Sequence, residues 1–193
     1  MASLLSSVTN AAHAAATNLL SAAQVEPETQ KSHYGTGGLI PTAVTVKEDS
    51  ADQTITLEGL TGRNIIVGVP GAFTGTCSRQ IPQYIEAYEK FKEKGIKDIY
   101  VFAVNDIFVM KSFRAWKENM APNGTPIRFI ADDKGAFVGA LGLLFDASPR
   151  LGSPRAKRFV LVTQDTTVEQ VIIENATGEL TVTAADKILA LIS

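Results

Sequence analysis

The sequence predicts an α/β domain, a central mixed sheet flanked by helices with antiparallel hairpins at both ends, and three observations predict it. Two continuous apolar runs, Ile65–Val69 and Ile99–Val104, suit strands buried on both faces. A helical periodicity follows each run. Segments that alternate apolar and polar residues across a turn stand at the beginning and the end of the domain.

In chain order, Leu4, Val8, Ala12, Ala15 and Leu19 recur at helical spacing and predict an extra N-terminal amphipathic helix. Val25–Pro41 holds two prolines and three glycines and reads as a linker, so residues 1–40 form an extension and residues 41–193 the domain. Thr42–Val46 and Thr54–Leu57 form the first expected hairpin, turning at Asp49–Asp52. Ile65–Val69 is stopped by Pro70 and Gly71. Ile81, Tyr84, Ile85, Tyr88 and Phe91 then mark a helix over about Thr76–Lys94. Ile99–Val104 is a strand, and Asp106 caps a helix carrying Phe108, Val109, Phe113 and Trp116. Ile127–Ile130 reads as a strand and Lys134–Leu144 as a helix. Arg158–Thr163 and Val168–Glu174 form the second hairpin, before a last helix over Thr183–Ile192. The chain shows no internal repeat.

Charge and cysteine usage exclude several functions. With 18 Lys+Arg against 20 Asp+Glu and no basic tract, the chain lacks the footprint of a nucleic-acid binder or a polybasic membrane protein. No apolar run reaches the ~18 residues that span a bilayer. The N-terminal segment contains no Lys or Arg before Lys31, which disfavours a cleaved leader. Cys77 is the one cysteine, so no intramolecular disulfide forms and a reducing compartment fits, the cytoplasm first and the mitochondrion second. One cysteine and two distant histidines, His13 and His33, make no metal-ligand cluster.

Cys77 follows the strand Ile65–Val69 and the loop Pro70–Thr76 and opens the next helix. There it faces unpaired backbone N–H groups and the positive end of the helix dipole, both of which favour a thiolate. A lone cysteine is otherwise most often a small buried hydrophobe. Gln80 stands where C-x-x-C has its second cysteine, and the loop lacks the Gly-Lys-Ser/Thr of a phosphate cradle. Both histidines precede the domain, so no His base serves Cys77, and any activating cation is Arg or Lys. Thr74, Pro70 and Arg158 also have plain readings, as a loop hydroxyl, a strand stop and an edge-strand charge.

The segment Gly68-Val69-Pro70-Gly71-Ala72-Phe73-Thr74-Gly75-Thr76-Cys77-Ser78 resembles the active-site segment of the peroxiredoxins, with the P-x-x-x-T-x-x-C pattern complete. Ala103–Met110 and Lys157-Arg158-Phe159 are similar to motifs of the type II branch of fungi and plants. The resemblance runs from Thr42 to Ser193 and implies a thioredoxin-like fold and reduction of hydrogen peroxide and organic hydroperoxides. It implies Cys77 as peroxidatic cysteine, Thr74 as hydroxyl donor, Pro70 as shield and Arg158 as active-site arginine, with Arg155 as the nearby competitor. Donors for the peroxide would be Arg158, Thr74 and the backbone N–H groups of Thr76 and Cys77.

An unperturbed thiol is about 3% ionised at pH 7, so full ionisation speeds attack at most roughly 30-fold, or ~2 kcal/mol. The larger effect must be stabilisation of charge on the leaving oxygen. The positions where relatives carry a resolving cysteine, in the strand Asp98–Phe102 and near Val182, hold valine, which makes this the one-cysteine form. The resemblance implies no bound cofactor, and an external thiol must complete the cycle: glutathione with glutaredoxin first, thioredoxin second, and a disulfide between two copies third. It also implies a homodimer around the active-site loops with Phe73 and Phe108 as contacts. Gly75 replaces the proline common in relatives, which loosens the loop. Phe73, Phe108, Leu143, Leu144 and Phe145 are candidates for an apolar mouth. Two other readings compete with a peroxidase: a redox-sensing or chaperone-like protein switched by Cys77 oxidation, and an inert thioredoxin-like module.

Overall fold

The computed structural model describes residues 35–118 and 124–192. The expected helix over Leu4–Leu19 lies outside the described residues. The chain divides into units 1–31 and 32–193, and the described residues belong to the second.

The strands are β1 (Arg63–Gly68), β2 (Ile96–Ala103), β3 (Arg128–Ala131), β4 (Leu144–Phe145), β5 (Arg155–Ala156), β6 (Phe159–Gln164) and β7 (Thr167–Ile173). The helices are α1 (Gly75–Glu86), α2 (Tyr88–Glu93), α3 (Ile107–Glu118), α4 (Ala136–Ala140), α5 (Ser148–Leu151) and α6 (Ala185–Leu191). The main sheet has the order β3-β2-β1-β6-β7. Its first three strands run parallel, and β6 is antiparallel to both its neighbours. The expected mixed α/β sheet is therefore present.

Because side chains alternate along a strand, the apolar run of β1 feeds two cores at once. Ile65 and Val67 pack with Ile81 and Tyr84 of α1, Phe113 of α3 and Ile188 of α6. Ile66 packs on the other face with Phe102, Phe137 and Phe159. A strand covered on both faces has no polar positions to spare, which is why β1 and β2 read as continuous apolar runs.

Alternation also aims the side chain that precedes Phe159. Phe159 opens β6 opposite Gly68, and its ring fills the space where a side chain would stand: a Cβ on Gly68 would lie 2.0 Å from a ring carbon. With Phe159 committed to that face, the preceding residue, Arg158, projects to the other side, where Cys77 lies.

Several elements differ from expectation. Thr42–Val46 and Thr54–Leu57 meet through one bridge, Val46 with Ile55, and are not two continuous strands. Lys47 leaves the pair to bridge Ala131 of β3, which limits its length. Gly37 and Ile40, in the segment read as linker, donate backbone hydrogen bonds to Val168 and Thr166. The helix expected over Thr76–Lys94 is divided at Ala87 into α1 and α2. The helix expected over Lys134–Leu144 shrinks to α4, since Gly135 and Gly142 both sit in the left-handed region and bracket it. The short β4–β5 pair and α5 had no recognisable periodicity. Asp106 does cap α3, accepting the N–H of Val109 at 3.0 Å.

Gly68→Ala should cost about 1–3 kcal/mol in chemical denaturation, through forced overpacking, and slow Cys77 oxidation by displacing Phe159 and Arg158 together. Unchanged stability and rate would show that the ring does not set the position of Arg158.

Candidate active site

Cys77 is fully buried at the third position of α1. An α-helix leaves its first N–H groups without intrahelical acceptors, here those of Gly75, Thr76 and Cys77, while Ser78 N–H already reaches the Thr74 carbonyl at 2.9 Å. Thr74 is the N-cap in extended conformation (φ −68°, ψ 151°), but its hydroxyl makes no capping bond. It donates to Cys77 Sγ at 2.8 Å. The cap position brings the hydroxyl to the third helical residue, and that residue carries a sulfur acceptor.

Arg158 reaches the same sulfur from β6. Its Nη1 and Nη2 lie 3.4 and 3.5 Å from Sγ, and the residue is 1% exposed. Nη1 also donates to Gln80 Oε1 at 2.6 Å, and Nη2 to the Thr177 carbonyl at 2.7 Å. The four terminal N–H bonds of the fork are thus shared between two fixed protein acceptors and the sulfur, which holds the guanidinium in one plane and one place. Arg155, the competing arginine, turns away and donates to the Val104 and Leu151 carbonyls.

Behind Arg158 stands a buried polar chain that sequence reasoning missed. Gln80 Nε2 donates to the carbonyl and hydroxyl oxygens of Thr183, both at 3.1 Å, so the Gln80 amide is oriented with its oxygen toward Arg158. Glu174 accepts from the N–H and hydroxyl groups of both Thr181 and Thr183. Burial alone would raise the Glu174 pKa, but these four donors outweigh it and leave it lowered. Gln80 was recoverable from sequence, since residues three apart share a helix face with Cys77. Glu174 and Thr183 lie too far along the chain for any local pattern to link them.

The chain around the cysteine is held at three further points. Asn105 Oδ1, two residues beyond β2, accepts the Ala72 N–H at 3.0 Å. Phe73 adopts φ 63°, uncommon for a residue with a side chain, and its ring packs on Phe113 and Trp116 of α3 at centroid distances of 5.2 and 5.5 Å. Pro82, inside α1, has no N–H for the Ser78 carbonyl four residues earlier, and Lys117 Nζ of α3 takes that place at 2.8 Å. Helix α3 therefore grips the chain on both sides of Cys77.

Pro70, Thr74, Thr76 and Arg158 line a cavity of about 560 Å³, whose lining thus includes both side chains that hydrogen-bond the sulfur, while Cys77 itself lies buried behind them. Of the five residues expected at an apolar mouth, Phe145 lines it. Leu143 is core, Leu144 packs near Gly135 and Gly139, and Phe73 and Phe108 are exposed away from the cavity. Chemically, a buried sulfur with three aimed donors, two of whose parent residues line a cavity, is suited to hold a thiolate and to stabilise negative charge on an atom bonded to it.

The Glu174 shift has a definite pH signature. A carboxyl whose pKa is depressed by folding stabilises the native state above its unfolded value and loses that contribution as pH falls through the folded one. The stability advantage of the wild type over Glu174→Gln should be full above about pH 5 and shrink in more acid solution. A difference that stays constant down to acid pH in urea titrations would contradict the network.

The Redoxin family model matches residues 36–189. Peroxisomal membrane associated protein 20 of Schizosaccharomyces pombe is 41% identical over 155 residues, covering 80% of this chain and 96% of that one. Peroxiredoxin-2B of Arabidopsis thaliana is 39% identical over 158 residues, covering 79% and 94%. Among solved structures, reduced Prx3 of Vibrio vulnificus in complex with H2O2 superposes with a TM-score of 0.73 at 29% identity, covering 82% of this chain and 99% of that one. These matches favour a peroxidase over a redox-sensing protein. Peroxiredoxins work through a cysteine and a thiol reductant without a prosthetic group. With its single cysteine, its thioredoxin-like α/β fold and these relatives, the chain belongs to the Redoxin family as a one-cysteine peroxiredoxin of the type II kind, a thiol-dependent peroxidase.

Proposed function

We propose that Cys77 is the peroxidatic nucleophile, with Thr74, Arg158 and the N–H groups of Thr76 and Cys77 as its donors, Pro70 as its shield, and residues 41–193 as the catalytic domain. The observation that carries this reading is the convergence of the Thr74 hydroxyl at 2.8 Å and two guanidinium nitrogens at 3.4 and 3.5 Å on one buried sulfur. The thiolate attacks the terminal peroxide oxygen, an S–O bond forms as the O–O bond breaks, and the alkoxide or hydroxide leaves and takes a proton. The products are a Cys77 sulfenic acid and an alcohol or water. The N–H groups aimed at Sγ in the resting site are those nearest to an oxygen bonded to it, so the donors that hold the thiolate can follow the charge outward. Pro70, without an N–H, adds bulk beside the sulfur and no competing donor.

The sulfenic acid has no second cysteine in the chain to meet, and an external thiol resolves it in two exchanges, releasing water and then a disulfide. Glutathione with glutaredoxin is the first choice of reductant, thioredoxin the second, in the cytoplasm or, next, the mitochondrion. Since Cys77 is fully buried, the first turn of α1 must open before either can reach it. Among the described residues no helix is long and apolar enough to cross a membrane. A homodimer through the Phe73 side of the molecule is supported by three exposed aromatics, Phe73, Phe108 and Trp116, at 48%, 69% and 42% exposure.

Cys77→Ser should abolish peroxide consumption with the fold retained, and surviving turnover would refute the assignment. Arg158→Met should remain slow even at alkaline pH where any thiol is ionised; full recovery there would reduce Arg158 to an ionising aid. Steady-state turnover should be faster with glutathione and glutaredoxin than with thioredoxin, and the reverse order would replace the first reductant with the second. Phe108→Arg should halve the sedimenting mass, whereas a wild type that sediments as a monomer would remove the dimer.

A further inference from the structure

The cavity lined by Thr74 and Arg158, the two residues that hold the Cys77 sulfur, is far larger than hydrogen peroxide needs. A water molecule takes about 30 Å³ of the liquid, and hydrogen peroxide adds one oxygen to that. The cavity holds about 560 Å³, the size of a site for a drug-sized molecule. Its floor is the peroxide-facing group of Thr74 and Arg158, and its wall is apolar, with Phe145 half-buried and Leu151 38% exposed.

Two cations stand at the rim, Arg79 and Arg150. Arg79 Nη2 donates to Thr76 Oγ1 at 3.2 Å, which seats the guanidinium beside the first turn of α1. That hydroxyl in turn donates to the Gly178 carbonyl at 3.0 Å. Neither arginine has a carboxylate within ion-pair distance among the described residues. The one carboxylate in the lining, Asp146, accepts the Ser148 N–H at 2.9 Å through Oδ1. Once the Cys77 thiolate balances Arg158, two arginines face one aspartate across an apolar wall.

We infer that this site takes organic hydroperoxides bearing a carboxylate, with the hydrocarbon on Phe145 and Leu151 and the carboxylate between Arg79 and Arg150. The inference rests on the peroxidase reading and deepens it: Arg79 and Arg150 are specificity-determining residues that act on the remote end of the substrate. The reaction is unchanged. The thiolate takes the terminal OH oxygen, sulfur is oxidised by two electrons, the O–O bond breaks, and the hydroxy acid leaves after its alkoxide takes a proton.

The test is single-turnover oxidation of the reduced full chain, without reductant, by hydrogen peroxide, linoleic acid hydroperoxide and the methyl ester of that hydroperoxide, below micellar concentrations. The free acid should react about tenfold faster than the ester, the scale of two partly exposed charge pairs. The preference should fall toward one in Arg79→Gln/Arg150→Gln and weaken as salt rises. Equal acid and ester rates in the wild type, or a preference that survives the double substitution, would overturn the inference. So would a charge preference confined to the second half-reaction, with sulfenic acid reduced faster by glutathione than by its diethyl ester, because the arginines would then belong to the reductant. A wild type that fails to oxidise with hydrogen peroxide at all would overturn the peroxidase reading beneath it.

Discussion

A thiolate cut off from water persists only where protein donors replace its hydration, and on the proposed reading the contact of Cys77 with Thr74 and Arg158 is that replacement. Removing an ion from water costs several kcal/mol unless hydrogen bonds and an opposite charge compensate it. Here both partners are needed. On that reading Arg158 supplies the charge, and because it is itself buried each of the two ions would make the other tolerable. The pairing explains why so much of the domain is spent on holding one guanidinium still: Gly68 and Phe159 aim it, Gln80 and Thr177 fix its fork, and Glu174 fixes the threonine that orients Gln80.

The same arrangement separates two tasks that a reactive cysteine must perform. Ionisation alone provides at most roughly 30-fold in rate, so an efficient peroxidase has to act on the leaving oxygen. Donors fixed in advance on the sulfur need little reorganisation when charge moves one bond outward. On the proposed reading burial also closes the sulfur to a thiol reductant, and the contacts that clamp the chain, Phe73 on α3 and Lys117 on the carbonyl left open by Pro82, are those that opening would break or bend.

How far the sequence reveals this depends on the range of each interaction. The strand–loop–helix setting of Cys77 and the cap position of Thr74 are local, and their apolar runs and spacing are readable. Arg158 was identified by resemblance, and its pairing with a residue 81 positions away follows from the order β1 beside β6, which no local pattern states. Gln80 is legible through helical spacing, three residues from Cys77 on one helix face, whereas its partner Arg158 is not. Nothing in the helix that carries Lys117 announces an orphaned carbonyl in another helix, so its contact with Ser78 has no local signal. The shortened α4 was legible in Gly135 and Gly142, whereas the β4–β5 pair is too short to carry a period.

The central claim, that the donors around Cys77 serve the breaking O–O bond more than ionisation, is tested most directly by comparing two electrophiles on one variant. Rates of Cys77 with hydrogen peroxide and with iodoacetamide would be measured at one pH for the wild type and Arg158→Lys, a substitution that keeps a cation and removes the fork. The account predicts a loss of about a hundredfold or more toward peroxide, the scale of removing one aimed donor, with a much smaller change toward iodoacetamide. Equal losses toward both would mean that the guanidinium only maintains the thiolate, and would contradict it.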